Sequence, residues 1–433
     1  MDKIAQEAKD RLDFEAANAP TIKKILSVVK EFIQESRVLC YGGTAINNLL
    51  PENEQFYDPE YDIPDYDFYS EEPQLHALKL ADRFHTLGFK EVEVKPGAHL
   101  MTFKVFVDFT GVADITYLDK AIFKKLWDEN IVKSKIHYVS PNFLRMSMYL
   151  ELSRPRGDVD RWPKVYKRLM RLNKHYPVGC QTTARGEHSV LTDNEKSKIE
   201  HVLMSMPIVL LGIHASALHA RHRQNTWHVP IDVLAAPEVF NQAVESFAEA
   251  LGGTPTKLVD QPAYAELLPR HVDIIEVNSG FLIVRIFESN ACHSYHQLRD
   301  GMRIASIPTL LQFFFGFVYA DAHFLEGFDP DRIVCISQRL MDLASSENKR
   351  RFKLLTPLDC IGHQETLVDM KVHKSHLYEK TPKNSPEFLR LFFAYKPGKY
   401  NRTQKKKIKD ALRKTMRGYV SHEPLVTDKT GNI

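Results

Sequence analysis

The chain carries a glycine turn, Gly42-Gly43, and then two carboxylates, Asp65 and Asp67, that alternate along a predicted strand over residues 63–69. The residues before the turn are typical of a short buried strand, and those after it are typical of a helix. Because side chains alternate along a strand, Asp65 and Asp67 are expected to project from one face of a sheet. A strand, a turn, a helix and an acid-bearing strand in this order predict an α/β (α+β) fold.

The same segments predict a site for a metal ion and a phosphate. Two neighbouring carboxylates repel each other unless a cation lies between them, and Mg²⁺ suits that position when a substrate phosphate supplies further ligands. Glycine lets backbone N–H groups approach an anion, and a helix start favours negative charge. Gly42, Gly43 and the hydroxyl of Thr44 are therefore predicted to position a triphosphate. Either element alone is common in ordinary proteins, but the combination indicates metal-assisted transfer of a nucleotide.

A third carboxylate is predicted at Asp114. Residues 99–109 alternate like a strand, residues 110–111 are typical of a turn, and residues 112–117 indicate a second short strand. Asp114 has apolar neighbours, where an unpaired charge is costly, and a cation would remove that cost. Asp108 is the alternative third ligand, but it lies near the predicted turn, where an acidic residue is common.

Three segments in this order resemble the polymerase-beta-like nucleotidyltransferases: GGTAINNLLP at 42–51, IPDYDFYS at 63–70 and VADITYL at 112–118. More narrowly, they are similar to the poly(A) polymerase catalytic subunits of large cytoplasmic DNA viruses, both the poxvirus type and the mimivirus type. The stretches 140–173 and 360–395 extend the resemblance over nearly the whole chain.

The resemblance implies a template-independent polynucleotide adenylyltransferase that adds AMP from ATP to RNA 3′ ends with two Mg²⁺ or Mn²⁺ ions. Asp65 and Asp67 would hold both ions, and Asp114 would hold the ion at the primer hydroxyl. The implied partners are ATP, an RNA 3′ end, and either a second copy of the chain, as in the mimivirus type, or a viral processivity subunit, as in the poxvirus type. The implied location is the viral factory in the host cytoplasm, or the virion.

Two other functions are compatible with the same residues. A terminal uridylyltransferase or an oligoadenylate synthetase would share the three acids and differ in base choice or primer. A non-catalytic RNA-binding subunit would share the fold, but the three intact acids argue against it. The selection of adenine rests on the resemblance alone.

Candidates for binding the base are Asn142, Arg145 and Tyr149, which recur at helical spacing after Ser140. The same spacing is also what a packed helix shows. Asn47 is expected either to support the glycine turn or to be an ordinary helix residue.

Two basic stretches are candidates for contact with RNA. Their predicted binding residues are Arg154, Lys164, Lys167, Arg168, Lys405, Lys406 and Lys407. The first stretch also contains Trp162 and Tyr166, and aromatic rings among cations suit a single-stranded nucleic acid. The alternatives are a solvated helix whose Trp162 packs inward and, for the second stretch, a flexible tail.

Composition sets few limits, since the net charge is only +3. The five cysteines are scattered, so the sequence predicts neither a disulfide framework nor a zinc ribbon, and a reducing compartment fits. The first residues lack the apolar core of a signal peptide. The longest apolar run, 307–320, is too short for a membrane span, so no membrane partner is expected.

The predicted domains are an N-terminal helical region (1–35), a catalytic domain (36–176), a linker (177–190), a degenerate copy of the catalytic fold (191–325) and a C-terminal region with a basic extension (326–433). In the second copy a lone Asp232 replaces the paired acids, Ile213-His214 replaces Gly43-Thr44, and Cys292 is expected where the first copy has Asp114. Tandem nucleotidyltransferase-like domains, the second of them silent, are thus predicted. The alternative is a coincidence of common α/β patterning.

Overall fold

The computed structural model describes residues 1–180, 191–220, 227–265, 267–320, 330–346, 353–417 and 419. The strands are β1 (Leu39–Tyr41), β2 (Asp67–Ser70), β3 (Val92–Pro96), β4 (Thr102–Val107), β5 (Thr110–Tyr117), β6 (Ile131–Lys133), β7 (Ile136–Tyr138), β8 (Val209–Leu210), β9 (Ile231–Ala235), β10 (Thr256–Gln261), β11 (His271–Glu276), β12 (Leu282–Glu288), β13 (His293–Gln297), β14 (Arg303–Ala305) and β15 (Cys360–Ile361). The helices are α1 (Asp2–Asn18), α2 (Pro20–Glu35), α3 (Gly42–Leu49), α4 (Pro73–Thr86), α5 (Lys120–Asp128), α6 (Pro141–Leu152), α7 (Trp162–His175), α8 (Asp193–Ser205), α9 (Gly212–His219), α10 (Pro237–Ala250), α11 (Ile307–Tyr319), α12 (Pro330–Ser345), α13 (Leu367–Lys380), α14 (Pro386–Phe392) and α15 (Arg402–Met416). Among the described residues, no helix combines the length and the apolar character needed to cross a membrane.

The chain divides into two compact units. The described residues of the first lie in 1–140 and 367–419, and those of the second lie in 141–366. Helices α6 and α7, which the sequence assigned to the catalytic domain, lie in the second unit. Residues 181–190 of the predicted linker are outside the described residues, whereas Val178 within it is buried. The predicted domain boundaries therefore stay predictions.

The first unit is built on a mixed sheet with the strand order β3-β4-β5-β2-β1-β7-β6. Strand β2 runs parallel to β5, and β1 runs parallel to β7. One face is apolar, with Phe68, Phe103 and Ile115 fully buried, and helices α2 and α4 pack against the sheet. Helix α2 begins at Pro20 and places an apolar stripe toward the sheet, where Phe32 lies 6.3 Å from Phe68 between ring centroids. The opposite face carries the polar residues.

The C-terminal segment belongs to the first unit. Tyr395 and Val94 exchange backbone hydrogen bonds, so the segment covers the outer edge of β3. The Tyr395 hydroxyl donates to Asp82 on α4 at 2.7 Å. Lys405 and Lys409 of α15 pair with the same carboxylate at 2.8 and 3.2 Å. The basic stretch of 402–416 is therefore an ordered helix packed on α4, and the alternative of a flexible tail is wrong for these residues.

The second unit repeats the first. Its sheet has the order β10-β11-β12-β9-β8-β14-β13-β15, so the first seven strands follow the same path as the seven of the first unit. Strand β9, which follows helix α9, is parallel to β12, as β2 is parallel to β5. Strand β8 is parallel to β14, as β1 is parallel to β7. The predicted fold class, tandem units each with a mixed sheet backed by helices, is confirmed.

The repeat corrects one predicted equivalence. Strand β12, not the segment around Cys292, pairs in parallel with β9, as β5 pairs with β2. Its register sets Arg285 opposite Asp232, so Arg285 stands where the first unit has Asp114. Asp273 lies opposite Arg285 on β11. The expectation of Cys292 at this position is wrong, because the sequence comparison aligned β12 with the wrong strand of the first unit.

Arg285 lies between two buried carboxylates, Asp232 and Asp273. Its side chain is 1% exposed, and its Nε lies 3.9 Å from Asp232 Oδ1 and 3.4 Å from Asp273 Oδ1. Neither Oδ1 has a hydrogen-bond partner among the described residues. Burial raises the pKa of Asp232 to about 6, and the attraction of Arg285 opposes that rise. The charge balance of this cluster therefore depends on the guanidinium.

Two disulfides lie in the second unit, which corrects the expectation that the cysteines form none. Cys180 is bonded to Cys335, and Cys292 to Cys360. The spacing gave no sign of these bonds because the partners are 155 and 68 residues apart. Cys40 of the first unit is buried and free.

Thiol counting tests these bonds. We expect a chromogenic thiol reagent to find one thiol per denatured chain without reductant and five after reduction. A count of five before reduction would contradict the pairing, provided that the protein was purified without reductant.

Replacing Arg285 with Met should destabilise the second unit by about 3–5 kcal/mol, because two buried carboxylates would lose their cation. The measurement is hydrogen exchange of β9 and β12 across a denaturant series. Arg270→Met is the matched control. Arg270 is 44% exposed and also pairs with two carboxylates, Asp260 and Glu288, so its loss should cost at most about 1 kcal/mol.

Adding Asp232→Asn to the Arg285→Met variant should restore part of the lost stability, since one buried negative charge is then removed. Equal losses for the Arg285 and Arg270 variants would show that the buried cluster is not held together by its charges.

Candidate active site

A row of charged side chains crosses three adjacent strands of the first unit. The register pairs Asp67 of β2 with Asp114 of β5, and Asp114 with Lys104 of β4. Directly opposed residues project from the same face of a sheet. Two carboxylates and one ammonium group therefore lie side by side on the polar face.

Asp65 lies just before β2, and its charge acts on Asp114. Tyr66 and Phe68, which flank Asp67, are buried. The assigned strand is shorter than the predicted 63–69, since β2 begins at Asp67. The pairing nevertheless reaches back one residue, because the Asp114 N–H donates to the Tyr66 carbonyl at 3.0 Å.

The pKa of Asp114 is raised by its surroundings. Burial raises the pKa of this carboxyl, Lys104 opposes the rise, and the nearby charge of Asp65 adds to it. Lys104 Nζ lies 2.6 Å from Asp114 Oδ2. Asp65 and Asp114 are therefore close enough to interact, and Lys104 supplies a positive charge beside Asp114.

The contact between Gly42 and Asp67 explains the glycine turn. Gly42 begins α3 with φ +72°, a region that favours glycine, and a Cβ built on it would lie 2.7 Å from Asp67 Oδ2. The second unit has the same arrangement: Gly212 has φ +66°, and its Cβ would lie 2.6 Å from Asp232 Oδ2. In both units a glycine is required because the backbone passes directly against an aspartate.

Thr44 and Asn47 of α3 support the acid-bearing segment. The Thr44 hydroxyl donates to the Asp65 carbonyl at 2.6 Å, so it positions the backbone of that residue. Asn47 Oδ1 accepts from the N–H groups of Phe56 and Tyr57 at 2.8 and 3.0 Å, which fixes the connection between α3 and β2. Asn47 thus holds the loop that follows α3, and these contacts do not involve the glycine turn that it was expected to support.

Tyr41 is a site residue that the sequence analysis missed. It lies opposite Asp67 on β1, its hydroxyl is 3.0 Å from Thr116 Oγ1, and its ring stacks on Tyr69 at 3.8 Å between centroids. Burial first, and then the neighbouring Tyr69 and Asp67, raise the pKa of its hydroxyl. Its position in the sequence could have identified Tyr41 as a site residue, because it directly precedes Gly42 and ends the strand next to β2.

Asp108 is placed away from this row. Asp108 and Phe109 both have positive φ, 48° and 67°, and form the exposed turn between β4 and β5. The predicted turn at residues 110–111 is wrong, since both belong to β5. Of the two candidates for the third carboxylate, the structure brings Asp114 to Asp65 and Asp67.

The fit of a metal ion rests on the donor set. Three carboxylates offer the oxygen ligands that hard divalent cations prefer. Within the described residues, however, no group of three or more His, Cys, Asp and Glu side chains is arranged to hold a metal ion. The three carboxylates are therefore of the right chemical type to bind a divalent cation, but their oxygens do not converge on one metal position in the structure.

The predicted base-binding residues form a buried network on α6 and α7. Arg145 Nε donates to Asn173 Oδ1 at 2.8 Å, and its Nη1 donates to Asn142 Oδ1 at 2.6 Å. Burial lowers the pKa of Arg145 to about 10. Tyr149 is also buried and bonds to Asn173, which the sequence analysis missed. These contacts are those of a packed helix pair, and nucleotide binding by Asn142, Arg145 and Tyr149 stays a prediction.

The predicted RNA-binding residues divide by exposure. Lys164, Lys167, Lys406 and Lys407 are exposed, and Arg168 and Lys405 are half-buried. Arg154 has a fully shielded Nε, and burial lowers its pKa to about 10. Trp162 donates its Nε1–H to the Glu151 carbonyl at 3.1 Å, so its ring is tied to α6, as the packed alternative predicted. RNA contact by this set stays a prediction.

Residues 27–158 match the sequence profile of a family described as Poly(A) polymerase catalytic subunit. The putative poly(A) polymerase catalytic subunit of African swine fever virus (isolate Pig/Kenya/KEN-50/1950) is 30% identical over 210 residues, which cover 47% of this chain and 41% of that protein. The putative poly(A) polymerase catalytic subunit of Acanthamoeba polyphaga mimivirus is 32% identical over 166 residues, covering 37% of this chain and 28% of that protein. The chain thus spans less than half the length of these curated relatives.

The crystal structure of the Megavirus polyadenylate synthase has the same fold. It matches with a TM-score of 0.77 at 19% identity, and the match covers 95% of this chain and 88% of the other. The resemblance to viral poly(A) polymerase catalytic subunits is confirmed by these comparisons, and Gly42, Asp65, Asp67 and Asp114 all lie in the matched residues 27–158.

Gly42→Ala tests the contact with Asp67. We expect it to destabilise the chain by about 1 kcal/mol more than Gly88→Ala, measured by denaturant unfolding. Gly88 also has a positive φ, +95°, but a Cβ at Gly88 would meet nothing within 4 Å, so this control isolates the backbone strain from the collision. Equal losses would show that Asp67 moves aside freely.

Proposed function

We propose that this chain is a template-independent polynucleotide adenylyltransferase, which adds AMP from ATP to the 3′ end of RNA and releases pyrophosphate. One observation carries the proposal: Asp67 and Asp114 are in register on one sheet face, with Asp65 beside them and Gly42 against them. The match of residues 27–158 to poly(A) polymerase catalytic subunits gives this arrangement its proposed chemistry.

The carboxylates are proposed to hold two Mg²⁺ or Mn²⁺ ions. Asp65 and Asp67 would hold both ions, and Asp114 would hold the one at the primer hydroxyl. When bound, the ions would favour deprotonation of the attacking hydroxyl and neutralise the charge that develops on pyrophosphate. Burial first, and then the charge of Asp65, raise the pKa of Asp114; this supports the assignment, because a divalent cation would stabilise the ionised carboxylate.

The first turn of α3 is proposed to position the triphosphate. Gly42 and Gly43 leave the backbone open to a close approach, and the N–H groups at a helix start attract an anion. Thr44 contributes mainly by holding Asp65, because its hydroxyl already donates to the Asp65 carbonyl. The turn would thus place the α-phosphorus beside the carboxylates.

Base selection separates this proposal from its nearest alternatives. Incubation of the chain with a short RNA and each single nucleoside triphosphate should extend the RNA with ATP only. Extension with UTP would favour a terminal uridylyltransferase, and products formed without RNA would favour an oligoadenylate synthetase. Binding of RNA without any extension would favour a non-catalytic subunit.

Assembly and location are proposed from the resemblance alone. Resemblance to the mimivirus type favours a homodimer for this chain, and resemblance to the poxvirus type favours a heterodimer with a processivity subunit. The mass of the purified chain in solution distinguishes the homodimer from a monomer that awaits a partner. The proposed site of action is the viral factory in the host cytoplasm, or the virion.

Asp67→Asn and Asp114→Asn should each lower the rate of extension by at least about 100-fold, equal to a loss of ~2.7 kcal/mol of transition-state stabilisation. Both changes keep the size of the side chain and remove a metal ligand charge. The measurement is single-nucleotide extension of a labelled RNA at saturating ATP.

Asp108→Asn is the matched control. It removes the same charge from the turn between β4 and β5, six residues before Asp114, and Asn tolerates the positive φ of this turn. We expect its rate to stay within about twofold of the unchanged chain. Extension by the Asp67 variant at the rate of this control would end the assignment.

A further inference from the structure

The charged row does not end at Lys104. In the register of β3 and β4, Lys95 lies directly opposite Lys104. The polar face therefore reads Asp67, Asp114, Lys104, Lys95 across four strands, with neighbouring strands about 4.8 Å apart. Its negative half is the candidate active site, and its positive half has no role in the proposed chemistry.

The C-terminal segment extends the positive half by one more cation. Because Tyr395 pairs with Val94 along the edge of β3, the next residue, Lys396, reaches the same face and lies 3.0 Å from Glu93 Oε2. Lys95 pairs with the same carboxylate. We call Lys95, Lys104 and Lys396 the lysine patch.

The lysine patch is accessible and carries excess positive charge. The side chains of Lys95, Lys104 and Lys396 are 54%, 40% and 48% exposed. Outside the three acids of the site and among the described residues, Glu91 attracts Lys396, and Glu93 pairs with both Lys95 and Lys396. The pKa of Glu93 is lowered, first by Lys95 and also by Lys396, against an opposing effect of burial.

An aromatic ring accompanies the cations. Phe106 is half-buried on the same strand as Lys104 and two residues from it, so it shares the face. Lys95 Nζ lies 5.4 Å from the centre of its ring. Cations that track phosphates next to an aromatic ring that can stack on a base are the elements of a surface for single-stranded nucleic acid.

Lys104 links this surface to the carboxylates. It occupies one oxygen of Asp114, and a divalent cation bound by Asp114 would repel the ammonium group. The ammonium group of Lys104 would then lack a paired anion. A phosphate that lies over the lysine patch supplies that anion and at the same time brings its chain end toward Asp114.

We propose that the lysine patch binds the phosphodiester backbone of the last nucleotides of a single-stranded RNA and guides its 3′ end to Asp114. This inference rests on the proposed function. It assigns the path of the primer to β3, β4 and the segment at 395–396, a set that does not include the basic residues singled out in the sequence.

The test is the double variant Lys95→Ala with Lys396→Ala in the full chain. Binding of a fluorescent 20-nucleotide oligo(A) is measured by anisotropy at several salt concentrations. We expect the dissociation constant to rise about tenfold, and the slope of log affinity against log salt to become shallower by about 1.4, or about 0.7 for each lost phosphate contact.

Two matched variants control for charge and contact. Lys24→Ala with Lys79→Ala removes two exposed lysines from α2 and α4, which back the apolar face of the same sheet, and should leave the affinity and the slope unchanged. Lys95→Arg with Lys396→Arg keeps the charge and should retain most of the binding.

Kinetics separates RNA from the other phosphate source, ATP. In the double alanine variant, KM for RNA should rise about tenfold, and KM for ATP should stay within about twofold. A rise in KM for ATP with unchanged RNA affinity would overturn the proposal in favour of a triphosphate site. Changes no larger than those of the Lys24 and Lys79 control would show that the lysines are merely solvated.

The binding measurement does not depend on catalysis. Repeated in the Asp67→Asn background, it should give the same loss of RNA affinity from the lysine substitutions. If the chain with Asp67 intact extends no RNA but the lysine substitutions still lower its RNA affinity, the proposed function is contradicted and the lysine patch is supported. An active chain without that loss would do the reverse.

Discussion

The strand register that sets Asp67 opposite Asp114 is the constraint on which the candidate site of the first unit depends. The parallel pairing of β2 with β5 sets these carboxylates opposite each other, and they cannot separate without a change of register. A slip of one residue would turn the buried Phe68 to solvent, at a cost of roughly 1.5–3 kcal/mol for this side chain alone. The apolar face therefore holds the acids together, and the polar face has to supply positive charge. Lys104 supplies some of it through one oxygen of Asp114 and leaves the remaining carboxylate oxygens for a further cation.

The second unit meets the same constraint in a different way. With Arg285 at the position of Asp114, the row reads acid, guanidinium, acid, and its positive charge comes from a buried side chain of the chain itself. Such a cluster has a cation of its own, and its three side chains are at most 8% exposed. The glycine contact persists nonetheless, at 2.6 Å for Gly212 and Asp232 against 2.7 Å for Gly42 and Asp67. A close approach of glycine to aspartate is therefore part of how this fold joins its first helix to its sheet, and the chemistry proposed for the first unit would be added to it.

The parts of this site that depend on local pattern could be predicted from the sequence, and those that depend on strand register could not. The spacing alone singled out Asp65 and Asp67, and the glycine turn marked the start of α3. The partnership of Lys104 with Asp114 required knowing which residues oppose each other in β4 and β5, and a bulge between Val105 and Phe106 shifts that register. The same gap led to Cys292 in place of Arg285. The disulfides and the docking of 395 on β3 join segments far apart in sequence, for which no local signal exists.

The order of charges across the sheet makes one end of the polar face negative and the other end positive. A polyanion that approaches this face is attracted at the lysine patch and repelled at the acids for as long as these lack bound cations. Cations at the acids would remove the repulsion at one end and, by displacing Lys104 from Asp114, strengthen the attraction at its neighbour. Under the proposed function, the chain end would then advance toward the carboxylates only when they carry the ions that the transfer requires. The cross-strand pair of Lys104 and Asp114 couples the two halves, because these residues face each other across the boundary between them and their charged atoms lie 2.6 Å apart.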